Sequence, residues 1–336
     1  MITSEILLLT NNIVIPFQDF KLDFVQLNKL FATRSLAEHG LGYMINVYDK
    51  ADSQDQWGRT LLKSFIFDMG SVNHTFLHNM TIRGYDPSSF DEILISHWHY
   101  DHVGSLYPLL EQIDKEVSII CHESSQYERF FKRSKEVKDG DLEGKKREEI
   151  LPLLSASKIV NQEPIDLEKI ESDNGRVIFS KDERVIFNSG GLKITLSGEI
   201  PRNHPEEEFS NFFFLRGDTL EQDDISDDKC LIFEYPENVV VLLGCCHSGL
   251  MNTLDHVRNI TKKRVSHVIG GFHMASANEK RINRTLNYLE SFQEDHEIHY
   301  LFPIHCTGEH FFTILKNMKN TNLKAFNTSV GTVFTF

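Results

Sequence analysis

The chain has 336 residues, of which 40% are hydrophobic and 25% charged, and its formal net charge at pH 7 is −14. This length allows one large core, and the composition is that of a soluble globular protein. The acidic balance argues against a nucleic-acid polymer as partner, because phosphate backbones demand a basic surface. It still allows a small anionic substrate, since bound metal ions can reverse the electrostatic field locally.

The cysteine count and the apolar runs indicate the compartment. Five cysteines, an odd number without a framework spacing, argue against a secreted disulfide scaffold. The stretch 1–10 has an apolar patch but neither a basic region nor a cleavage-like site, so we expect no signal peptide. No apolar run approaches the ~20 residues that a membrane helix needs. We expect a cytoplasmic protein without a membrane partner, and the oligomeric state stays open, a homo-oligomer included.

Apolar periodicity and turn residues predict the elements of the first half of the chain. Strands are predicted at 1–14 (interrupted at 10–12), 43–48, 61–68, 92–96 and 117–121, and helices at 73–83 and 106–113. Charged residues dominate 127–149, which predicts a surface excursion, either a solvated helix pair or a partly mobile lid. A surface excursion is the leading interpretation, and Phe130 and Phe131 within this stretch leave a lid as the alternative.

In the second half, strands alternate with helices. Strands are predicted at 176–179, 183–187, 192–196, 230–235, 239–243, 265–269 and 300–304, and helices at 249–261, 279–292 and 309–316. The chain begins with strands joined as hairpins and continues with strands that alternate with helices. This order suggests two sheets packed face to face with helices outside. We therefore expect one α/β domain over 1–336, with a charged insertion or lid around 127–175.

The most informative motif is the run from His97 to His102, which holds three histidines and one aspartate at the end of an apolar strand. Neutral imidazole and carboxylate are good ligands for zinc, manganese or iron. His97 and His99 point the same way while the chain stays extended, whereas Asp101 and His102 can turn towards a second ion. A histidine-rich surface turn is the alternative. We expect two divalent metal ions, with zinc as first choice, that hold a bridging hydroxide against the substrate.

Later segments offer the remaining ligands. His247, His273 and His305 each follow an apolar strand and lie close to a glycine, which lets the backbone approach a metal closely. Carboxyl ends of strands gather the chemistry of layered α/β folds, so we expect at least two of these histidines to be functional. Glu199 follows a fourth strand and is a candidate ligand, general base or partner that orients a histidine. A surface salt bridge to Arg202 is the alternative for Glu199.

Three other residues have less decisive surroundings. Cys245 and Cys246 could supply a thiolate ligand, although a packed free cysteine is the simpler interpretation for each. His39 opens an early strand, and the sequence leaves its role unclear.

These motifs together resemble a branch of the metallo-β-lactamase superfamily. The branch comprises metal-dependent hydrolases of β-lactamase superfamily II and includes dihydropterin–ribofuranosylaminobenzene phosphate synthases. The matching segments cover most of the chain and are 38–41, 67–70, 97–102, 198–202, 227–228, 244–253, 270–273 and 305–308. The resemblance implies an αββα sandwich with a dinuclear metal site on the sheet edge. It implies that His97 and His99 bind one metal, that Asp101 and His102 bind the other, and that His305 is the last histidine ligand.

The sequence departs from the superfamily pattern at two positions. Relatives carry a bridging aspartate after the glycine that ends the hairpin, and this chain has Cys245 there. Many relatives carry a ligand histidine before the hairpin, and this chain has Glu199. We infer that His247 compensates as a ligand, and that His273 binds a metal or contacts the substrate.

The leading hypothesis is a metal-dependent hydrolase acting on a phosphate ester or phosphodiester, because paired cations suit anionic oxygens. Asp101 would hold a metal and orient the nucleophile. His247, His273 or Glu199 would protonate the leaving group.

The resemblance implies a second candidate, a synthase for a pterin-type substrate in which metals activate a phosphate leaving group. Trp98, Phe272 or the cluster 212–214 could stack on a flat ring, although core packing is the simpler role for these side chains. A di-iron redox protein would call for more carboxylates and a flavin partner. A degenerate binding protein is disfavoured by the intact 97–102 motif.

Overall fold

The computed structural model describes residues 1–50, 58–72, 74–207, 211–296, 298–319 and 322–336. Within these ranges the strands are β1 (Ile2–Thr10), β2 (Val25–Gln26), β3 (Gly42–Asp49), β4 (Thr60–Met69), β5 (Glu92–Leu94), β6 (Val117–Cys121), β7 (Arg129–Lys132), β8 (Ile159–Gln162), β9 (Gly175–Phe179), β10 (Arg184–Ser189), β11 (Leu192–Leu196), β12 (Phe212–Arg216), β13 (Thr219–Gln222), β14 (Cys230–Glu234), β15 (Val239–Leu243), β16 (Val265–Gly271), β17 (Tyr300–Ile304), β18 (Lys324–Ala325) and β19 (Val333–Thr335). The α-helices are α1 (Thr75–Ile82), α2 (Tyr100–Val103), α3 (Leu106–Leu110), α4 (Leu151–Ser155), α5 (Leu167–Ser172), α6 (Leu250–Thr261), α7 (Glu279–His296) and α8 (Glu309–Lys316).

Two sheets pack face to face between layers of helices. The first sheet has the order β2-β19-β1-β3-β4-β5-β6-β9, and the second has the order β10-β11-β14-β15-β16-β17-β18. Their inner faces share one core in which Tyr43 and Phe67 of the first sheet and Phe233 and Phe302 of the second are fully buried. Side chains of α1 and α3 cover the outer face of the first sheet, and side chains of α6, α7 and α8 cover that of the second. The predicted αββα sandwich is confirmed.

The parallel parts of both sheets position the site. Strands β4, β5, β6 and β9 run parallel, as do β15, β16, β17 and β18. Parallel neighbours end at the same edge of their sheet, and polar loops follow them there. The chain leaves β5 just before His97, β15 just before Cys245, β16 just before His273 and β17 just before His305.

Most predicted elements agree with the observed ones to within a few residues. The predicted strands at 117–121, 192–196, 239–243 and 300–304 and the helix at 309–316 coincide with β6, β11, β15, β17 and α8. The predicted start of α1 at residue 73 lies outside the described residues. Strand β5 ends at Leu94 rather than at Ser96, because the Ser96 N–H donates to the Asp68 carboxylate (2.8 Å) instead of to a neighbouring strand.

A third, four-stranded antiparallel sheet has the order β13-β12-β7-β8, and we call it the cap sheet. It joins two distant segments of the chain, since Phe130 pairs with Phe213 and Phe131 pairs with Phe212 across β7 and β12. Phe130 and Phe213 are buried in a small core of their own. The alternative of a solvated helix pair over 127–149 is therefore wrong, because this described stretch forms β7 and no α-helix, and its apolar residues Phe130, Val137 and Leu142 are buried in that core. Among the described helices, none has the length and the apolar character that crossing a membrane requires.

Candidate metal centre

Six of the side chains named from the sequence come together where the edges of the two sheets meet. They are His97, His99, Asp101, His102, His247 and His305, and all are buried. The ring centroid of His97 lies 4.5 Å from that of His99, 4.2 Å from that of His102 and 4.7 Å from that of His247. The cluster draws on the ends of β5, β15 and β17, so it forms only when both sheets are assembled.

The ligand atoms fall into overlapping groups, and within each group all of them lie within 4.8 Å of one another. The groups are Asp101, His102, Cys245 and His305, then His97, Cys245 and His247, and then Cys245, His273 and Cys306. His99 adjoins the second group, because its ring centroid lies 4.9 Å from that of His247. This arrangement brings nitrogen, oxygen and sulfur donors close enough together to hold metal.

Two buried nitrogen atoms test whether these residues fit a metal. Within the described part of the chain, His97 Nε2 and His99 Nε2 have no hydrogen-bond partner. Leaving such an atom unpaired costs about 1–3 kcal/mol, and a bound ion would remove that cost. Burial lowers the pKa of His99 to about 3, and burial together with the charge of His102 lowers the pKa of His97 well below its usual value. Both rings are neutral at pH 7, the form that binds metal, so the residues fit the group.

Asp68, near the end of β4, sets the tautomers of two histidines. Its Oδ1 accepts from Ser96 N (2.8 Å), and its Oδ2 accepts from the Ser96 hydroxyl (2.7 Å) and from His102 Nδ1 (2.7 Å). Because the Ser96 hydroxyl donates to Asp68, it can only accept from His97 Nδ1, which lies 2.8 Å away. His97 and His102 therefore hold a proton on Nδ1 and turn Nε2 towards the centre.

His102 also couples metal binding to pH. Burial lowers the pKa of His102, but the charges of Asp68 and Asp101 outweigh it and raise this pKa to about 9. Its Nε2 lies 3.0 Å from Cys245 Sγ. At neutral pH a metal ion bound here would displace a proton from this nitrogen, so its binding would release a proton.

Asp101 lies between two histidines that the N-terminal segment holds in place. Its Oδ2 is 3.3 Å from His39 Nε2 and 3.3 Å from His305 Nε2. Asn12 contacts both rings from the other side, with Oδ1 3.0 Å from His305 Nδ1 and Nδ2 3.3 Å from His39 Nδ1. Since the Asn12 Oδ1 accepts from His305 Nδ1, the His305 Nε2 keeps its lone pair for a metal. Although burial raises the pKa of Asp101, the charge of His102 and the hydrogen bond from His39 hold it well below its usual value.

The structure places His273 beside the cluster and Glu199 away from it. The ring centroid of His273 lies 4.1 Å from that of His247. The Glu199 carboxylate is 47% exposed and accepts a hydrogen bond from His122 Nε2 at 2.9 Å. Glu199 N donates to the Lys181 carbonyl at 2.8 Å. Glu199 therefore orients a histidine, but one outside the cluster, and its side chain makes no ion pair with Arg202 among the described contacts.

The buried Arg129 connects the cap sheet to the metal-binding loop. It donates to the Trp98 carbonyl (3.2 Å) and to Asp227 Oδ1 (2.8 Å), and its Nε lies 3.2 Å from Asp223 Oδ2. Asp227 Oδ2 in turn accepts from Trp98 N (2.7 Å). The peptide groups on both sides of Trp98 are thus held, which fixes the turn between His97 and His99. The sequence analysis missed Arg129, Asn12 and the role of Asp68, and an aspartate at the end of an otherwise apolar strand was the one available signal.

A cavity of about 490 Å³ opens above the cluster. Its floor includes His99, Asp101, His247, His273 and His305, and its facing wall includes Phe131, Val160, Asn161, Gln162 and Phe212 of the cap sheet. The ring of Phe212 stacks on His99, with centroids 4.8 Å apart. Of the rings named for stacking, Trp98 and Phe272 are buried in the helix-facing cores, whereas Phe212 reaches the cavity.

Known proteins are similar to this chain in sequence and in fold. Residues 62–188 match the family model of the metallo-β-lactamase superfamily. This segment belongs to that superfamily. It contains the 97–102 motif, and the resemblance inferred from the motifs is confirmed.

Two proteins from Methanocaldococcus jannaschii are similar over most of the chain. One, named 7,8-dihydropterin-6-methyl-4-(β-D-ribofuranosyl)-aminobenzene-5'-phosphate synthase, is 24% identical over 81% of this chain and 82% of its own length. The other, an uncharacterized protein, is 24% identical over 84% of this chain and 90% of its own length. The crystal structure of a metal-dependent hydrolase of the β-lactamase superfamily has a TM-score of 0.65 and 18% identity, and covers 99% of this chain and 98% of that one. The whole chain therefore has the metallo-β-lactamase fold.

Proposed function

We propose that this protein is a hydrolase that depends on two divalent metal ions, with zinc as first choice, and cleaves a phosphate ester or phosphodiester bond. The observation that carries the proposal is the pair of overlapping ligand groups on the floor of one cavity. Among the described residues, the buried Nε2 atoms of His97 and His99 have no hydrogen-bond partner, and a bound metal ion would satisfy both.

The ligands divide into two sets. His97, His99 and His247 hold one ion, and Asp101, His102 and His305 hold the other, as the overlapping groups suggest. Bound there, two divalent ions supply an activated water and neutralise the anionic oxygens of the substrate.

The protein's own residues position and protonate the substrate. His273 lines the cavity next to His247 and is placed to hand a proton to the leaving-group oxygen. Asp101, held between His39 and His305, keeps a fixed carboxylate beside the reacting centre. Glu199 does not line the described cavity, so it has no catalytic role in this proposal.

The residues of the cap sheet that line the cavity favour a small substrate that carries a flat group. A cavity of about 490 Å³ suits a small molecule, and the cap sheet covers the cluster on one side as a lid would. The rings of Phe131 and Phe212 lie 5.0 Å apart at this wall, and the amides of Asn161 and Gln162 offer hydrogen bonds beside them. The net charge of −14 favours such a substrate over a nucleic-acid polymer.

The test removes one ligand. We expect His99→Ala to lose bound zinc and to lower the turnover of a panel of phosphate esters and phosphodiesters by at least about 100-fold, because it removes a donor to the metal. His310→Ala, in the exposed part of α8, is the matched control and should keep both properties. Unchanged zinc content and turnover in His99→Ala would reject the assignment.

A second candidate is a synthase acting on a pterin-type substrate. Two observations favour it: the match to a protein named as such a synthase over 81% of this chain, and the aromatic wall formed by Phe131 and Phe212. Here the metals would activate a phosphate leaving group. Faster turnover of a pterin pyrophosphate than of generic phosphodiesters would decide for the synthase, and the reverse ranking would decide for the hydrolase.

A further inference from the structure

Cys245 occupies an unusual place in the cluster. Its sulfur belongs to each of the three groups of candidate ligand atoms, and the other side chains belong to one group each. Sγ lies 3.0 Å from His102 Nε2, which is in the first group, and within 4.8 Å of the ligand atoms of His97 and His247 in the second. One donor atom is therefore within reach of both sets of ligands.

We propose that the Cys245 sulfur bridges the two metal ions as a thiolate. The inference rests on the metal binding proposed above and specifies which atom joins the two sites. Bonds of about 2.05 Å to nitrogen and 2.3 Å to sulfur in a tetrahedral zinc site put the two donor atoms about 3.6 Å apart. The observed 3.0 Å from Sγ to His102 Nε2 requires only a few tenths of an ångström of side-chain movement.

Two glycines bring the Cys245 backbone into the cluster. A Cβ on Gly244 would come within 2.3 Å of Ser96 Oγ, so only glycine lets the end of β15 press against the Asp68–Ser96 network. A Cβ on Gly271 would come within 2.6 Å of Cys306 Sγ and 3.2 Å of the Cys245 Cα. The ends of β15 and β16 are therefore packed closely against their neighbours. The Cys245 side chain projects from the end of β15 into the space between the candidate ligands.

The neighbouring cysteines have other surroundings. Cys246 has a φ of 61°, which turns the chain directly after Cys245, and its sulfur lies 3.4 Å from Thr253 Oγ1 in the core under α6. Cys306 belongs only to the group with Cys245 and His273, and its sulfur donates to the Cys245 carbonyl. The chain thus supplies a buried control, Cys246, and a nearby rival ligand, Cys306.

Zinc K-edge X-ray absorption on the zinc-loaded protein tests the bridge by counting sulfur neighbours. A bridging thiolate is bound to both zinc ions and gives an average of about one sulfur neighbour per zinc. A terminal thiolate is bound to only one of the two ions and gives an average of about half. We expect about one sulfur per zinc in the wild type, in Cys246→Ser and in Cys306→Ser, and none in Cys245→Ser. About half a sulfur per zinc in Cys306→Ser would overturn the bridge, as would sulfur retained in Cys245→Ser.

The metal count separates this inference from the function on which it rests. Two zinc ions per chain without sulfur in the wild type would overturn the bridge and leave the metal centre intact. No bound zinc in the wild type would overturn both. The wild-type and Cys306→Ser spectra need no change at Cys245, so a folding defect in Cys245→Ser cannot decide the result.

Metal preference gives a second measurement. Thiolate favours zinc and cadmium, whereas carboxylate suits manganese. We expect Cys245→Asp to shift the ratio of manganese to cadmium binding by at least about tenfold towards manganese, with Cys246→Asn unshifted. An unchanged ratio in a Cys245→Asp protein that still binds two ions would overturn the bridge.

Discussion

Asp68→Asn should weaken metal binding although Asp68 touches no metal. The carboxylate is fully buried and accepts three hydrogen bonds, from Ser96 N, the Ser96 hydroxyl and His102 Nδ1. Asparagine has the same shape but only one accepting oxygen. No orientation of its amide can therefore satisfy all three donors.

The magnitude follows from the two orientations that the amide can take. If the NH2 group replaces Oδ1, it faces the Ser96 N–H; if it replaces Oδ2, it faces His102 Nδ1–H and the Ser96 hydroxyl. Either leaves at least one buried donor unpaired, at about 1–3 kcal/mol. A displaced Ser96 hydroxyl would also turn towards His97 Nδ1 and move that ring's proton to Nε2, which must bind the metal. We expect zinc affinity to fall by about 10–100-fold.

Competition with a chromophoric chelator measures the affinity, and circular dichroism checks the fold. Asp91→Asn is the matched control, since Asp91 also accepts a backbone hydrogen bond, from Ser64 N at 3.1 Å, but lies where β5 begins, whereas the cluster lies where the parallel strands β4 and β5 end. A folded Asp68→Asn protein whose zinc affinity is within about twofold of the wild type would refute the reasoning, because it would show that the ring tautomers do not depend on this carboxylate.

Three further predictions concern the cap sheet and the core. Arg129→Met should lower the free energy of unfolding in urea by about 3–5 kcal/mol, because it leaves Asp223 and Asp227 buried without their partner; a loss under about 1 kcal/mol would contradict this. Phe131→Ala should raise KM for an aromatic phosphate ester about 2–10-fold at unchanged zinc content, without an effect on an aliphatic ester. Burial and the charge of His299 lower the pKa of His267 from 6.5 to about 4. Between these two pH values the unfolded chain binds one proton more than the folded chain, so the free energy of unfolding of the wild type decreases as the pH falls. Against His267→Phe, the wild type should lose roughly 3 kcal/mol more of unfolding free energy from pH 6.5 to 4, and equal slopes would show that His267 is not responsible.

The sequence could predict the cluster because its determinants are local. The candidate ligands His97, His247 and His305 follow the ends of β5, β15 and β17 by one to four residues. Parallel strands bring such exits to one edge without any knowledge of the side chains between them. The strand and helix signals were long and periodic, so the two sheets and their outer helices followed. Cys245 was visible as a candidate, but its position between two ligand groups depends on how β15 and β5 are brought together.

The cap sheet could not be predicted because its pairing is not local. Phe131 and Phe212 are neighbours in space but lie on strands about 80 residues apart, and each strand alone is short, with four residues in β7 and five in β12. The same reason hides Arg129, which pairs with Asp223 and Asp227, and Asn12, which contacts the ring of His305. Glu199 illustrates the converse: its place in the sequence suits a ligand, but its carboxylate contacts His122 and does not line the described cavity.

The Trp98 peptide groups link the substrate wall to the metal-binding loop. Arg129 begins the cap-sheet strand β7 and holds the Trp98 carbonyl, while its partner Asp227 holds the Trp98 N–H. The wall and the 97–102 loop therefore share one buried ion pair, that of Arg129 and Asp227. In the proposed hydrolase, the ends of the parallel strands would determine the chemistry, whereas Phe131, Asn161 and Gln162, which line the cavity, would select the molecule that reaches it.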